Sequence, residues 1–205
     1  MSQKPKGLCQ PLSAKFGELE RRLHHLEQDR VAIHSKLSTL EQQTYFDALT
    51  GLRNQSMFGS QVSTLLREKK PFALLYIDID GLKQLNTEHG HQFADQLIRA
   101  AAEAIRCALR RRTDQDNVFR RGTAADEFLV ILEKADLHTG RKLAEQILTQ
   151  LRSLSDPLTA SIGVAAWDGR DNLTCDAMER AAELGMQKAK LEGRNCVRVN
   201  AREEP

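Results

Sequence analysis

The sequence predicts an α/β fold in which a mixed, mainly antiparallel sheet carries flanking helices and follows a long N-terminal coiled-coil helix. Three observations support this. Apolar residues run without a break from Phe72 to Ile77, between Pro71 and Gly81, which is typical of a buried strand. Two β-rich runs flank a short connection that contains Gly122, which predicts a hairpin. Helix-period segments alternate with these strands, and a heptad pattern precedes them all.

The first helix is predicted from two interleaved heptad series. Their spacing alternates between three and four residues, which is the seam of a left-handed coiled coil. The series are Leu12, Leu19, Leu26, Ile33, Leu40 and Phe16, Leu23, Arg30, Leu37, Thr44. Three pairs of residues beside the seam have opposite charges, namely Lys15–Glu20, Arg22–Glu27 and Lys36–Glu41. Such residues are neighbours across the interface of a parallel two-stranded coiled coil. The pattern favours a parallel homodimer; the alternative is one amphipathic helix packed on its own domain.

The chain is expected to divide into four parts: a disordered lead-in at 1–11, a coiled-coil dimerisation helix at 12–46, a globular domain at 47–200 and a tail at 201–205. The stretch 47–54 is expected to be a hinge, since Asp47 can bond the backbone ahead of it and Gly51 breaks a helix. Further helices are expected at 56–69, from 82 to an interruption at Gly90, and at 93–111, 139–154 and 175–191, with strands at 158–165 and 196–199.

The composition is that of a soluble protein. The 205 residues carry a net charge of +2, which gives no electrostatic reason to expect nucleic acid or a membrane surface as partner. The 4 cysteines include no CxxC pair and indicate reduced thiols rather than a disulfide frame or zinc site. No apolar run approaches a membrane span, and no apolar signal segment follows Lys4 and Lys6. We therefore expect a cytoplasmic protein without nucleic-acid or membrane partners.

Two carboxylates, Asp78 and Asp80, end the predicted central strand. Side chains alternate along a strand, so both point to one face, with Ile79 opposite. Buried carboxylates need a partner or a cation, and Mg²⁺ often takes one or two carboxylates together with substrate phosphates. Two interpretations stay open: a divalent metal site, or a strand that ends at Asp78 with Asp80 capping the next helix.

Five motifs then follow one another through the globular part. They are DALTGLRN at 47–54, YIDIDGLKQLN at 76–86 with Gly90, His91 and Asp95, AADEF at 124–128, SIGVA at 161–165 and AKLEGRN at 189–195. Each is weak alone, but together they cover the chain from about Thr44 to Asn200. On these residues the domain resembles the GGDEF family, the diguanylate cyclases. The resemblance implies a palm-like, nucleotidyl cyclase-like sheet.

The resemblance also implies a reaction, the condensation of two GTP molecules into cyclic di-GMP with release of pyrophosphate. Each half of a dimer would hold one GTP. Mg²⁺ or Mn²⁺ is the implied cofactor, since metal ions stabilise the attacking and leaving oxygens in such transfers. The implied catalytic residues are Asp78, Asp126 and Glu127, and the implied metal ligands are these three and the main chain of Ile79.

The substrate contacts are implied in the same way. Asn86 and Asp95 match the residues that read guanine, and a carboxylate suits the N1–H and 2-amino donors of that base. Lys83, Lys190 and Arg194 match the groups that steady the phosphates. Each has a structural alternative: Asn86 could cap or turn a helix, Asp95 could be an N-cap, and Lys190 and Arg194 could be solvated charges near a helix C-terminus.

The signature turn departs from the family pattern, because Ala124 and Ala125 stand where two glycines are usual. Glycine supplies positive φ and close backbone approach, and alanine in left-handed space costs about 1–2 kcal/mol. The usual inhibitory Arg-x-x-Asp is also disturbed: Asp116 fits its acid, but Thr113 stands for its arginine. Gln55 replaces a further arginine.

Three functions follow from these observations. We place first an active or weakly active diguanylate cyclase that works as a coiled-coil dimer. Second is a degenerate domain that binds GTP or cyclic di-GMP without turnover and signals through its coil or a partner. A purely structural dimerisation module is third. The sequence contains no recognisable sensory domain, so residues 12–46 are the expected control element and an upstream sensor protein is a candidate partner.

Overall fold

The computed structural model describes residues 9–109, 117–122 and 126–200, with side chains at all of these except 9–14 and 38–43. The chain forms two compact units, Met1–Thr44 and Tyr45–Pro205. Most of the expected lead-in, the tail, Ala124, Ala125, Thr113 and Asp116 lie outside the described residues. None of the helices in the described ranges is long and apolar enough to span a membrane.

The first unit is dominated by one helix, α1, which spans Cys9–Tyr45. It begins three residues before the expected start at Leu12. The apolar residues of the heptad seam with described side chains are between 51% and 67% exposed in the single chain, namely Phe16, Leu19, Leu23, Leu26, Ile33 and Leu37. A long apolar stripe in water is unfavourable at about 25 cal/mol per Å², so this helix carries an uncovered surface.

The second unit is built on a six-stranded sheet with the order β1-β3-β4-β2-β5-β6. The strands are β1 Arg53–Asn54, β2 Phe72–Ile79, β3 Val118–Arg120, β4 Glu127–Glu133, β5 Ala160–Trp167 and β6 Cys196–Val199. The three central pairings, β3–β4, β4–β2 and β2–β5, are antiparallel, and the outer pairings β1–β3 and β5–β6 are parallel. The predicted fold class, a mixed and mainly antiparallel sheet after an N-terminal helix, is confirmed.

In the described part of the second unit, five helices flank this sheet: α2 Gln55–Arg67, α3 Leu82–His89, α4 His91–Leu109, α5 Leu137–Arg152 and α6 Cys175–Leu191. One face of β2, with Leu75 and Ile77, packs in a core with α3, α4 and α5. The other face, with Leu74 and Tyr76, packs with α2 and α6. Because both faces are covered, every residue of β2 is buried, which explains its unbroken apolar run.

Helix α6 approaches the sheet closely because glycines face each other. A Cβ atom at Gly163 of β5 would lie 1.9 Å from the carbonyl oxygen of Ala182, and one at Gly185 of α6 would lie 3.0 Å from the Cα of Gly163. No other residue type fits such an approach. The glycines thereby allow the last turn of α6, with Lys190, to reach the end of β2.

The segment that opens the second unit is fixed by Asp47. Its Oδ1 accepts hydrogen bonds from the backbone N–H of Thr50 at 2.9 Å and from the Thr50 hydroxyl at 2.6 Å, as the sequence predicts. Its carboxylate also forms a buried ion pair with Arg120 of β3, at 2.9 and 3.0 Å, which the sequence does not predict. The short strand β1 at Arg53–Asn54 was not predicted either.

Candidate functional site

An open cleft of about 510 Å³ lies where β2 ends and α3 begins. The turn between them contains Gly81 with a φ of 74°, a value that favours glycine. The cleft is lined by Asp78, Ile79, Asp80, Gly81, Leu82, Lys83, Gln84, Thr87, Asp126, Lys190 and Arg194. Six of the predicted site residues therefore meet in one place, although they come from three separate segments of the chain.

Asp78 is the buried centre of this cleft, with 5% of the residue exposed. Its Oδ2 lies 2.6 Å from the Nζ of Lys190. Burial raises the pKa of Asp78 to about 6; Lys190 opposes this shift, and the charges of Asp126 and Glu127 add to it. Burial is thus the main cost to the ionised form of Asp78, and a cation bound beside this carboxylate would offset that cost.

The hairpin brings Asp126 to this point through the backbone. The N–H of Ile79 donates to the carbonyl oxygen of Asp126 at 3.1 Å, just beyond the register pair Asp78–Glu127. This bond ties the start of β4 to the end of β2. Two carboxylates from neighbouring strands thus line one cleft, as expected from the motif positions.

Asp80 has a structural role on the same rim. Its carboxylate accepts hydrogen bonds from the Thr159 hydroxyl at 2.9 Å, the Ser161 hydroxyl at 2.7 Å and the Asn195 backbone at 3.0 Å. It does not cap α3, whose N-cap is Gly81 without a side-chain hydrogen bond, so that alternative is wrong. Asp80 instead holds β5 and the loop after α6 against the end of β2.

That loop is strained where it meets the cleft. Arg194 and Asn195 have φ values of 63° and 49°, a region that costs non-glycine residues of order 1 kcal/mol or more each. The bond from the Asn195 backbone to Asp80 helps to hold this conformation. Arg194 lines the cleft as a result.

Glu127 is placed differently from the other predicted ligands. Its side chain is 21% exposed and forms an ion pair with Arg121, with 3.0 Å between Glu127 Oε2 and Arg121 Nη1. Arg121 also contacts Glu179 of α6 at 2.8 Å. Sequence reasoning missed Arg121 and Glu179, and no local signal would have paired them.

Asn86 and Asp95 do not line the cleft. Asn86 lies within α3 and Asp95 within α4 after its first turn, so neither is the N-cap of its helix. Both are half-buried. The side-chain oxygen of Asn86 is buried and has no hydrogen-bond partner among the described residues, which leaves a free acceptor.

The oxygen donors of the cleft suit a hard divalent cation that also binds water and phosphate oxygens. Within residues 9–109, 117–122 and 126–200, no three His, Cys, Asp or Glu side chains form a group that could hold a metal. Mg²⁺ typically takes one or two protein carboxylates together with water and phosphate oxygens. Asp78 and Asp126, beside the main chain of Ile79, fit that pattern.

The fold is a mixed α/β sheet domain with an acidic and basic cleft at one end of its central strand, and comparison with known proteins gives the family. The family described as "Diguanylate cyclase, GGDEF domain" matches residues 44–196. The chain belongs to this family, and the resemblance drawn from the motifs is confirmed.

Three similar proteins illustrate the comparison. Diguanylate cyclase DgcP of Pseudomonas aeruginosa is 30% identical over 201 residues, which cover 93% of this chain but only 29% of DgcP. The coiled coil and GGDEF domain of DgcB from Caulobacter crescentus, solved with c-di-GMP, gives a TM-score of 0.77 at 22% identity over 88% of this chain and 98% of that one. Diguanylate cyclase SiaD of Pseudomonas aeruginosa, solved with its activator SiaC, gives a TM-score of 0.69 at 22% identity, over 92% of this chain and 76% of the SiaD chain. At this identity the two structures support the fold alone.

Proposed function

We propose that this protein is an active diguanylate cyclase, which joins two GTP molecules into cyclic di-GMP and releases pyrophosphate. The observation that carries the proposal is the charge arrangement of the cleft. The carboxylates of Asp78 and Asp126 line the same 510 Å³ space as the cations of Lys83, Lys190 and Arg194. Carboxylates beside several cations suit a metal-bound triphosphate.

Asp78, Asp126 and the main chain of Ile79 would hold Mg²⁺ or Mn²⁺, with Glu127 as a further ligand. When bound, the metal supplies positive charge to the attacking and leaving oxygens of phosphoryl transfer. The protein's own contribution is positioning: Asp78 is buried, and the backbone bond from Ile79 to Asp126 fixes the distance between the strands. Lys190 now contacts Asp78, and its ammonium group is close enough to the cleft to bind phosphate instead.

We assign guanine recognition to Asn86 and Asp95. The buried, unpaired side-chain oxygen of Asn86 supports a ligand at this position, since buried acceptors are normally satisfied. A carboxylate at Asp95 accepts from the N1–H and 2-amino groups of guanine, both of which adenine lacks. This arrangement predicts selection of GTP over ATP.

We propose further that the active form is a parallel homodimer. The uncovered stripe of α1, from Phe16 to Leu37, matches what a second copy of the same helix would cover. Dimerisation through residues 12–46 would bring together two domains (47–200), each holding one GTP. We place this dimer in the cytoplasm, with a separate sensor or activator protein acting on the coil.

The competing function is a degenerate domain that binds GTP or cyclic di-GMP without turnover. Ala124 and Ala125 favour it, because a methyl group in the signature turn would crowd a nucleotide that approaches the backbone. The two functions differ in product formation and share nucleotide binding.

The test is product analysis by mass spectrometry after incubation of the purified protein with GTP and Mg²⁺, or with ATP. The proposal expects cyclic di-GMP from GTP only, with two pyrophosphates per product. Asp126→Asn should lower the rate at least about a hundredfold, because it removes a metal ligand. The control Asp168→Asn changes an exposed carboxylate paired with Arg170 and should leave the rate unchanged.

Absence of cyclic di-GMP at high protein concentration would overturn the proposal. Calorimetry would then separate the remaining functions. Micromolar GTP binding without turnover identifies the degenerate domain, and turnover gained by Ala124→Gly with Ala125→Gly would locate the defect in the turn. No nucleotide binding at all would leave a dimerisation module.

A further inference from the structure

An arginine links the hairpin to α6 beside the proposed metal site. The Nη1 of Arg121 lies 3.0 Å from Glu127 Oε2, and its Nε lies 2.8 Å from Glu179 Oε1. The guanidinium carbon is 5.4 Å from the centre of the Tyr76 ring, within the range of a cation–π contact. One guanidinium group therefore contacts two carboxylates and an aromatic ring at once.

The backbone fixes this arrangement. The N–H of Arg121 donates to the carbonyl oxygen of Glu127 at 3.0 Å, so the two residues face each other across the hairpin. Glu179 is held in turn by the side-chain amide of Gln55, at 3.3 and 3.4 Å. With side-chain exposures of 38%, 21% and 13% for Arg121, Glu127 and Glu179, these pairs are partly shielded and stronger than fully exposed ones.

The carboxylate of Glu127 is also positioned to serve the proposed metal site. Glu127 is the register partner of Asp78, and paired residues in an antiparallel sheet extend their side chains to the same face. Its charge is close enough to raise the pKa of Asp78, although burial is the main cause of that shift. Glu127 therefore lies between the guanidinium group of Arg121 and the place proposed for the divalent metal ion.

We propose that Arg121 competes with the divalent metal for Glu127, so that full metal coordination requires this ion pair to open. The inference rests on the proposed function, because it takes Asp78 and Asp126 as the site that Glu127 completes. It agrees with the finding that no three acidic, His or Cys side chains form a metal-holding group in the described part of the chain. Arg121 is thus a positioning residue, which acts on metal loading through Glu127.

The test measures Mn²⁺ affinity by the loss of the free-Mn²⁺ electron paramagnetic resonance signal, with and without 3′-deoxy-GTP, which lacks the attacking hydroxyl. Arg121→Gln should raise the affinity about fivefold, the equivalent of losing one partly exposed ion pair. Arg121→Lys keeps the charge but loses the forked guanidinium, and should give an affinity between those of the wild type and Arg121→Gln. Arg141→Gln removes an exposed arginine that pairs with Glu145 on α5 and should change nothing.

A double-mutant cycle separates action through Glu127 from a general change in charge. In a Glu127→Gln background, Arg121→Gln should no longer alter the affinity. An unchanged or lower affinity for folded Arg121→Gln would overturn the inference, and so would a gain that persists without Glu127. If the wild type binds no Mn²⁺ even with 3′-deoxy-GTP, the proposed function itself fails; normal wild-type binding with no effect of Arg121→Gln overturns the inference alone.

Discussion

Replacing Asp78 by asparagine should stabilise the metal-free protein while removing its proposed metal site. The reason is electrostatic: burial, opposed by Lys190 and reinforced by Asp126 and Glu127, raises the pKa of Asp78 from 3.8 to about 6. A rise of about two units corresponds to about 3 kcal/mol of unfavourable free energy for the ionised form. Asparagine has nearly the same shape and no charge to desolvate.

The sign of the pH dependence follows from linkage. Between the ordinary pKa of 3.8 and the raised value of about 6, the folded state binds a proton that the unfolded state does not. The stabilisation from that proton is fully present below the lower value and is lost as the pH rises through the higher one. The advantage of Asp78→Asn should therefore be about 3 kcal/mol at pH 7 and about 2 kcal/mol at pH 5.

The assay is urea unfolding of both proteins in EDTA at pH 5, 6 and 7. Subtracting one curve from the other removes the contribution of every other titrating group. Burial of a charged Asp78 would be excluded as a source of instability if Asp78→Asn were no more stable than the wild type at pH 7, or if the difference did not shrink as the pH fell.

Three further predictions concern stability. Arg120→Met leaves Asp47, which is 8% exposed, without its buried cation, and should lower the free energy of unfolding by about 3–5 kcal/mol. Urea unfolding midpoints measure this loss. A loss below about 1 kcal/mol would show that the pair behaves as an exposed one. Gly163→Ala places a methyl group 1.9 Å from the Ala182 carbonyl oxygen and should lower the free energy of unfolding by about 3 kcal/mol or more. Thermal unfolding would detect this loss, and an unchanged melting temperature would contradict the close packing of α6. Gly59→Ala, in α2 with nothing within 4 Å of the added Cβ, should instead raise stability by about 0.5–1 kcal/mol, and the same scan would expose any loss.

The fold could be predicted because its main signals are local. The apolar run of β2 is unbroken because α-helices cover both faces of that strand, and the hairpin was visible as two β-rich runs around Gly122. The sequence predicts helix α6 at its observed bounds, Cys175–Leu191, since Gly193 follows the helical pattern. The family motifs placed Asp78, Asp126, Lys83, Lys190 and Arg194 at one site.

The partners of charged side chains could not be predicted, because they depend on the tertiary fold. Lys190 and Asp78 are 112 residues apart, Arg120 and Asp47 are 73 apart, and Arg121 and Glu179 are 58 apart. Periodicity and turn chemistry carry no information across such distances. Packing of α6 against the sheet, as Gly163 and Gly185 allow, brings Lys190 to Asp78 and Glu179 to Arg121.

We propose above that Asp78 and Asp126 bind a metal that carries the triphosphate of GTP. Crystals grown with Mn²⁺ and 3′-deoxy-GTP would test it directly through the anomalous scattering of manganese. We predict an anomalous peak within about 2.5 Å of carboxylate oxygens from both residues, with the triphosphate beside Lys190 and Arg194. A nucleotide bound elsewhere, or manganese bound without either carboxylate, would exclude this metal site.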